Sequence, residues 1–293
     1  MKVAVYSRAL ELGPQKDDIQ LFFDELQKEE IIPVISAPFL EELQGNIKLP
    51  NRFESFSSHE ELTKDIDFIV SLGGDGTLLD TVSLVRDKNI PVVGINFGRL
   101  GFLASIGRDE LPEAVKALAR RSFVVDKRAL IHLDASTSLF NDAPYALNEF
   151  AIHKRDVSPM IKIHTYLNGE LLNTYWADGL ILATPTGSTG YNLSCQGPIM
   201  FPDAHSFVIT PIAPHNLNVR SIVVPDTTII SFEIESRSDE IIVALDSRRE
   251  IVNKNIQLAI RRESFTMNLV RLNENNFLQT MRNKLSWGLD KRN

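Results

Sequence analysis

The stretch from Phe68 to Val85, FIVSLGGDGTLLDTVSLV, contains the signals of a strand, a turn and a helix in direct succession. Phe68–Leu72 is a short apolar run typical of a buried parallel strand, and apolar residues recur at helical spacing from Leu78 onward. Between them, Gly73–Thr77 places three glycines around one acid. Glycines allow a tight turn and close approach to a ligand, and a helix N-terminus offers free N–H groups to phosphate. The stretch therefore predicts an α/β unit with an anion-binding turn.

Asp75 is an unexpected residue for such a turn, because a carboxylate there would face an anion. It indicates a group that binds a metal or accepts a proton, and the alternative is that it only caps the helix. The turn matches neither the dinucleotide-binding fingerprint nor the Walker loop, since no Gly-Lys-Ser/Thr follows.

The first 120 or so residues repeat this alternation of strand and helix. A helix is expected beyond Asp17 and Asp18, and a weaker helical pattern runs from Leu111 to Leu118. The other predicted strands are Val3–Tyr6, Ile31–Ile35 and Val92–Ile95, and the expected apolar face of the first helix is Ile19, Phe22, Phe23 and Leu26. We predict an α/β domain with a mostly parallel sheet over residues 1–123.

After Phe123 short β-rich runs dominate, which predicts an all-β domain over residues 124–273. Asn168-Gly169 between two such runs is the strongest hairpin signal in the chain. The tail, residues 274–293, returns to helical spacing and is expected to pack back on the first domain. The predicted strands are Ala129–Leu133, Ile161–Leu167, Leu180–Ala183, Ser206–Ile209, Thr228–Ile234, Ile241–Leu245 and Ile256–Ile260.

Composition excludes several classes of protein. The 293 residues include 38 acidic and 31 basic ones, for a net charge of −7, which argues against nucleic-acid and anionic-membrane partners. The single cysteine, Cys195, fits a reducing compartment. No apolar run approaches the roughly 18 residues of a membrane span, and a strand is predicted directly after Met1. We expect a cytoplasmic protein.

A second polar cluster, residues 178–191, reads DGLILATPTGSTGY. Its small and hydroxyl-bearing residues leave room for a ligand and can bond its polar edges, and Tyr191 offers a ring for stacking; plain turn chemistry is the alternative. Asn148-Glu149 ends a β-like stretch, and a polar pair of that kind is usually a solvated face. His215 lies in a proline-rich loop, where a histidine is more often structural than catalytic.

Together these segments resemble NAD kinases. The resemblance covers roughly residues 1–270 in family order. The Gly-Gly-Asp-Gly-Thr turn is shared with diacylglycerol, sphingosine and 6-phosphofructokinases, whereas the Thr-Pro-Thr-Gly-Ser-Thr segment is far more specific. The matching segments are Gly73–Thr77, Asn96–Leu103, Asn148-Glu149, Asp178–Tyr191 and Pro211–Arg220.

The resemblance implies a Rossmann-like N-terminal domain, a β-rich NAD-binding C-terminal domain and an active site in the cleft between them. It also implies transfer of the terminal phosphoryl group of ATP to the adenosine 2′-hydroxyl of NAD, with Asp75 as general base. Members of the family are oligomers, so a homodimer or homotetramer is expected.

The roles carried over by the resemblance fall into four groups. Gly73, Gly74, Gly76 and Thr77 belong to the phosphate-facing turn, where Gly76 also contacts NAD with Asp75. Asn148 and Glu149 bond the dinucleotide, and Asp178 contacts its nicotinamide end. Thr189, Gly190, Tyr191, Asn192 and Ser194 line the adenine pocket. Ala213 contributes to the nicotinamide-side wall, from this or a neighbouring subunit.

Two positions depart from the family pattern. Gly190 replaces the usual alanine, which should loosen the loop without removing a contact. Leu245–Arg249 stands where the family commonly has Asp-Gly-Gln, so Arg248 matches a ligand-binding glutamine and could instead reach a phosphate.

The expected cofactor is a divalent cation, Mg²⁺ or alternatively Mn²⁺, that arrives with ATP; no protein metal ligand is assigned. Polyphosphate is a further candidate donor. A lipid or sugar kinase is the second reading, and a dinucleotide-binding sensor without catalysis is a third. The sequence does not decide between NAD and NADH, nor whether NADPH regulates the protein.

Overall fold

The apolar runs of the N-terminal region form short parallel strands, as predicted. The computed structural model describes residues 1–8, 12–98, 101–141, 143–155, 159–272 and 277–286, without the side chains of residues 12–14. The chain divides into two compact units. Unit 1 comprises residues 1–127 and 267–293, and unit 2 comprises residues 128–266.

Unit 1 is an α/β layer. Its strands are β1 (Lys2–Tyr6), β2 (Ile32–Ser36), β3 (Glu54–Phe56), β4 (Phe68–Leu72), β5 (Val92–Asn96) and β6 (Ile106–Gly107). Its helices are α1 (Leu12–Lys28), α2 (Ala37–Leu43), α3 (Asp75–Val85) and α4 (Leu111–Ala119), together with α6 (Phe277–Leu285) near the C-terminus.

The unit 1 sheet has the order β3-β2-β1-β4-β5, and all of these neighbours are parallel. The order reverses between β1 and β4, because the chain builds outward from β1 in one direction and then in the other. Ligands of open α/β sheets bind outside the carboxyl ends of the strands at such a switch point. The turn after β4 is therefore at a position suited to a ligand.

The helical periodicities predicted from the sequence face the core. Ile19, Phe22, Phe23 and Leu26 of α1 are fully buried, and each apolar side chain of this size contributes about 1.5–3 kcal/mol on burial. Helix α1 begins at Leu12, earlier than the predicted start near Asp17. Helix α6 confirms the helical tail from Phe277 on; residues 274–276 and 287–293 lie outside the described residues.

Unit 2 is built mainly from antiparallel strands. One sheet has the order β14-β13-β12-β9-β16-β17, and a second group has the order β11-β10-β15-β18, with β7 pairing β8 and β18. The strands are β7 (Val124–Ala135), β8 (Tyr145–Ala146), β9 (Glu149–Lys154), β10 (Ile161–Leu167), β11 (Glu170–Ala177), β12 (Gly179–Ala183), β13 (Ser206–Ile212), β14 (Ile222–Pro225), β15 (Ile230–Glu235), β16 (Glu240–Leu245), β17 (Arg248–Asn253) and β18 (Leu258–Arg271); the short helix α5 is Tyr191–Ser194.

The predicted hairpin at Asn168-Gly169 joins β10 to β11. Both residues have positive φ, 51° and 86°, as a two-residue turn of this kind requires. Strands β7 and β18 are longer than predicted; β7 runs from unit 1 into unit 2, and β18 returns from unit 2 to unit 1. Within the described part of the chain, no helix is both long and apolar enough to span a membrane.

Candidate active site

The glycine turn after β4 is fixed by contacts that only glycine permits. Gly73 has φ +146°, and a Cβ there would lie 2.5 Å from Thr77 Oγ1. The Gly73 N–H donates to the carbonyl of Ile95 at 2.8 Å. Gly74 is the N-cap residue, so α3 begins at Asp75. The predicted turn thus brings a helix N-terminus to the carboxyl end of β4.

Asp75 accepts three consecutive backbone N–H groups. Its Oδ2 accepts the N–H of Phe102 at 2.8 Å, and its Oδ1 accepts those of Leu103 and Ala104 at 3.0 and 2.9 Å. The approach is so close that a Cβ on Gly101 would lie 1.7 Å from Oδ1. We call this arrangement the Asp75 anchor.

The Asp75 anchor leaves the carboxylate able to accept another proton or hydrogen bond. A carboxylate has roughly four acceptor positions, and the described residues fill three of them. The Asn96–Leu103 segment supplies two of the three donors, and Ala104 directly after it supplies the third. Arg99 and Leu100 of that motif lie outside the described residues.

Arg8 is a charged neighbour of the turn that the sequence did not reveal. It follows β1, and a Cβ on Gly76 would lie 3.4 Å from its Nη1. Arg8 forms an ion pair with Asp80 of α3, which also accepts a hydrogen bond from Tyr6 Oη at 3.1 Å. Burial, followed by the charge of Asp80, raises the pKa of Tyr6 to about 12, so Tyr6 stays neutral. Arg8 lies near the turn because the sheet order places the end of β1 beside the end of β4. A sequence analysis could have found Arg8 only from that strand order.

In unit 2, the hydroxyl groups of the 184–190 loop hold the loop itself. Thr184 Oγ1 donates to the Leu147 carbonyl at 2.6 Å and accepts the Gly187 N–H at 3.1 Å. Ser188 Oγ accepts the N–H of Met200 at 2.9 Å. A Cβ on Gly187 would lie 2.1 Å from the Asn148 carbonyl oxygen. The loop is therefore a rigid wall packed against Leu147 and Asn148.

The residues expected to line an adenine pocket differ in accessibility. The amide of Asn192 is fully buried and bonded to the carbonyls of Ser188 and Pro198 and to Thr210 Oγ1, which favours a role in holding the loop. Thr189 Oγ1 donates to the Thr186 carbonyl at 3.3 Å.

Tyr191 and Ser194 lie at the surface of α5. Tyr191 is 37% exposed as a residue. It stacks on His153 with 5.7 Å between ring centroids and 18° between the planes, and its outer part remains available for a base.

Asp246 repeats in unit 2 the arrangement found at Asp75. Its Oδ2 accepts the N–H of Leu147 at 2.9 Å, and its Oδ1 accepts those of Asn148 and Glu149 at 2.7 and 3.1 Å. Asp246 lies in the turn between β16 and β17 with φ 54°, and its own N–H donates to the Glu149 carbonyl at 3.0 Å. We call this arrangement the Asp246 anchor; the sequence did not assign it a role.

The Asp246 anchor fixes the backbone of two residues whose side chains end in unpartnered buried atoms. Asn148 Oδ1 and Glu149 Oε2 are buried without a hydrogen-bond partner in the described residues. Burial, followed by the charge of Asp246, raises the pKa of Glu149 to about 8. Buried polar atoms left unpaired are costly and call for a partner such as a ligand. The expectation that a polar pair of this kind is solvated does not describe Asn148 and Glu149, because these atoms are buried.

Gly190 lies beside this pair. A Cβ there would lie 3.1 Å from Glu149 Oε2, tighter than an ordinary contact. The glycine that replaces the family's alanine therefore leaves space next to the Glu149 carboxyl group.

Asp178 and Ala213 lie at the same end of the paired strands β12 and β13. Asp178 Oδ1 is 2.7 Å from Lys154 Nζ, and its N–H donates to the Ile212 carbonyl at 3.0 Å. Ala213 is exposed and has φ 45°, a left-handed conformation that is uncommon for alanine and typical of functional loops.

Arg248 directs its guanidinium group to the 140–145 segment. It donates to the carbonyls of Ala143, at 2.7 Å, and Tyr145, and lies 5.6 Å from the centroid of the Phe140 ring. These contacts indicate a structural role for Arg248.

The described residues contain no group of three or more His, Cys, Asp or Glu side chains that could hold a metal ion. At the glycine turn the described residues offer a cation a single carboxylate, Asp75, which already accepts three N–H groups. Mg²⁺ usually keeps several waters and is bound by few carboxylates together with substrate phosphates, so a cation here would be held chiefly by the phosphate donor.

Comparison with known proteins adds family-level information. Residues 25–123 match the ATP-NAD kinase N-terminal domain, and residues 147–272 match the ATP-NAD kinase C-terminal domain. An NAD kinase of Cytophaga hutchinsonii is 50% identical over 290 residues, covering 97% of this chain and 99% of its own length. An NAD kinase of Bacteroides fragilis is 39% identical over 292 residues and covers both chains fully.

Two solved structures have the same fold. Yeast NADH kinase complexed with NADH superposes with a TM-score of 0.89 at 21% identity, covering 99% of this chain and 88% of its own. An NAD kinase from Archaeoglobus fulgidus in complex with ATP superposes with a TM-score of 0.76 at 24% identity, covering 98% and 99%.

Proposed function

The chain belongs to the ATP-NAD kinase family, and we propose that it phosphorylates the adenosine 2′-hydroxyl of NAD with the terminal phosphoryl group of ATP, giving NADP. Family membership makes the protein an enzyme and a kinase. The observation that carries the finer proposal is Asp75, a carboxylate at the first residue of α3 that is held by three N–H groups and keeps a position for a proton.

In the proposed reaction, Asp75 accepts the proton of the 2′-hydroxyl as its oxygen attacks the terminal phosphorus. A bond forms between the ribose oxygen and phosphorus, the bond from phosphorus to the bridging oxygen breaks, and ADP leaves. A hydroxyl is a poor nucleophile at neutral pH, and a positioned base typically accelerates such a step by about 10²–10⁴-fold. The Asp75 anchor supports this role because it orients the carboxylate without occupying all of its acceptor positions.

The phosphates of the donor are proposed to bind at the glycine turn. The N-terminus of α3 offers N–H groups, and Arg8 adds a positive charge beside Gly76. A divalent cation, Mg²⁺ or Mn²⁺, would arrive with the phosphates of the donor, so that the remaining acceptor position of Asp75 stays available for the proton. When bound, it neutralises charge on the transferred phosphoryl group. Polyphosphate presents the same terminal chemistry and is the alternative donor.

NAD is proposed to bind to unit 2. Asn148 and Glu149 would bond its polar atoms with the two unpartnered oxygens, and Tyr191 would stack on the adenine. Asp178 and Ala213 would contact the nicotinamide end. Arg248 and Asn192 would contribute indirectly, since their side chains are bonded to the protein itself.

The test is NADP formation by the purified protein with NAD, ATP and Mg²⁺, detected with a dehydrogenase that accepts NADP and rejects NAD. We expect turnover that depends on both the donor and the cation. Parallel reactions with diacylglycerol and fructose 6-phosphate test the lipid- and sugar-kinase readings, and we expect no product from either.

Two outcomes would contradict the proposal. Phosphorylated product from the lipid or the sugar, without NADP, would identify a different acceptor. Tight NAD binding in calorimetry without NADP formation from ATP or polyphosphate would support a sensor.

A further inference from the structure

The turn between β16 and β17 carries an acidic side chain that holds the pair Asn148-Glu149 from about a hundred residues away. Three consecutive N–H groups point at the Asp246 carboxylate, and the Asp246 N–H returns a bond to the Glu149 carbonyl. The backbone of residues 147–149 is therefore fixed from one side.

The two carboxyl groups of this cluster have unequal environments. Burial raises the pKa of Asp246, and this effect is opposed by the three N–H donors and by the charge of Arg248, which favour the ionised form. Glu149 receives only a backbone bond from Tyr191, and its Oε2 has no partner in the described residues. Two neighbouring carboxyl groups in a poorly hydrated site do not ionise together easily. Because Asp246 has the three N–H donors and Glu149 has a single backbone bond, these environments favour the negative charge on Asp246 and the proton on Glu149.

We propose that Asp246 is a positioning residue of the nucleotide pocket, which fixes the backbone of Leu147–Glu149 and keeps Glu149 a hydrogen-bond donor toward the bound dinucleotide. This inference rests on the proposed function, because it takes NAD as the occupant of the pocket. A protonated Glu149 donates from its O–H to an acceptor on the nucleotide, such as a hydroxyl oxygen or a ring nitrogen. It also adds no negative charge beside a ligand whose pyrophosphate is anionic.

Among the titratable groups of this cluster, Glu149 is the one expected to ionise between neutral and moderately alkaline pH. Burial raises the pKa values of Cys195 and Tyr191 above their ordinary values, and lowers that of His153. The charged or titratable groups around the pair are Asp246 and Arg248 on the β16–β17 side, Tyr191 and Cys195 at α5, and His153 on the same strand as Glu149.

The experiment is the Kd for NAD by calorimetry from pH 6 to pH 9.5 for the wild type and three variants. In the wild type, Kd should be constant at neutral pH and rise above a break near the Glu149 pKa of about 8, by up to about 10-fold per pH unit. Glu149→Gln keeps a neutral donor that cannot ionise in this range, so the break should vanish. Asp246→Asn removes the neighbouring charge, so its break should move to lower pH.

Asp226→Asn is the matched control, because Asp226 is a buried carboxylate of unit 2 that pairs with Arg262 at 2.6 Å. Its pH profile should match the wild type. A break that persists in Glu149→Gln would overturn the inference, as would an Asp246→Asn variant that weakens binding by the same factor at every pH. Should Asp246→Asn fail to fold, Glu149→Gln decides alone. A wild type that neither binds nor phosphorylates NAD would refute the proposed function, whereas NAD binding with a pH-independent Kd would refute only this inference.

Discussion

The Asp75 anchor of unit 1 and the Asp246 anchor of unit 2 have the same hydrogen-bonding arrangement in different folds. In each, one carboxylate accepts three consecutive backbone N–H groups from a distant segment. The difference lies in what is held. At Asp75 the carboxylate is itself the proposed reacting group, whereas at Asp246 it holds Asn148 and Glu149, whose free oxygens are proposed to bond the ligand. We infer that damage to the first anchor reduces the chemical step and damage to the second reduces NAD binding.

Gly101→Ala tests whether the Asp75 anchor positions the reacting carboxylate. The new Cβ would lie 1.7 Å from Asp75 Oδ1, so the carboxylate or its donor segment must move. We expect kcat to fall by at least about 100-fold, because misplacement by about 1 Å can cost that much. We expect the free energy of unfolding to fall by about 1–3 kcal/mol.

Gly45→Ala is the control for Gly101→Ala. Gly45 has φ +76°, and a Cβ on it would meet no atom within 4 Å, so this substitution strains the backbone by about 1–2 kcal/mol without touching the turn. Chemical denaturation and steady-state kinetics on both variants separate instability from misplacement. Equal losses of kcat in the two variants would contradict a positioning role for Gly101.

Gly187→Ala makes the corresponding test in unit 2. Its Cβ would lie 2.1 Å from the Asn148 carbonyl oxygen, which displaces the wall of the nucleotide pocket. We expect the Kd for NAD to rise by about 10–100-fold, corresponding to about 1.4–2.8 kcal/mol, while the affinity for ATP changes little. Calorimetry with each nucleotide measures both effects. A variant that loses ATP affinity and keeps NAD affinity would reverse the assignment of the two regions.

Arg8→Ala tests the proposed contribution of Arg8 to binding of the phosphate donor. Loss of its charge beside Gly76 should raise the KM for ATP by about 10-fold, in line with the loss of one charge-assisted hydrogen bond, and leave the KM for NAD within about 2-fold. The comparison variant is Arg120→Ala, a surface arginine at the end of α4, which should change neither KM. An unchanged KM for ATP in Arg8→Ala would remove Arg8 from the donor site.

The proton on Glu149 predicts how stability depends on pH. The Glu149 pKa is about 8 in the folded protein and near its ordinary 4.5 in the unfolded chain, so the folded state binds more protons between these values. The resulting stabilisation is complete below pH 4.5 and is lost as the pH rises through 8, at up to about 1.4 kcal/mol per pH unit. Urea denaturation of wild type and Glu149→Gln should show the variant losing less stability between pH 5 and pH 8. Parallel pH profiles would contradict a protonated Glu149.

Much of the fold follows from local sequence patterns. The β-branched runs and the helical spacings of unit 1 match observed elements because each element must bury one face. Strand β17 was not predicted, since its sequence RREIVN is largely charged and its pairing with β16 depends on the turn at Asp246. Helix α2 was missed for the same general reason, because tertiary packing outweighs weak local preference.

The candidate site was less accessible to sequence reasoning than the fold. Most residues of the site were identified because the motifs resemble those of a family. The contacts that hold these residues in place, however, are long-range. Asp246 is 97–99 residues from the N–H groups that it binds, and Arg8 reaches Gly76 only because the sheet order places β1 beside β4. No periodicity or local propensity encodes such distances.

Measuring kcat and NAD affinity in Asp75→Asn tests most directly whether Asp75 is the base of the phosphoryl transfer. Asp67→Asn is the matched control, because Asp67 also accepts a backbone N–H, from Lys2 at 3.0 Å, outside the glycine turn. We expect that Asp75→Asn folds, binds NAD within about 3-fold of wild type and forms NADP at least about 100-fold more slowly, while Asp67→Asn keeps its turnover. Turnover close to wild type in folded Asp75→Asn would contradict the central role of Asp75.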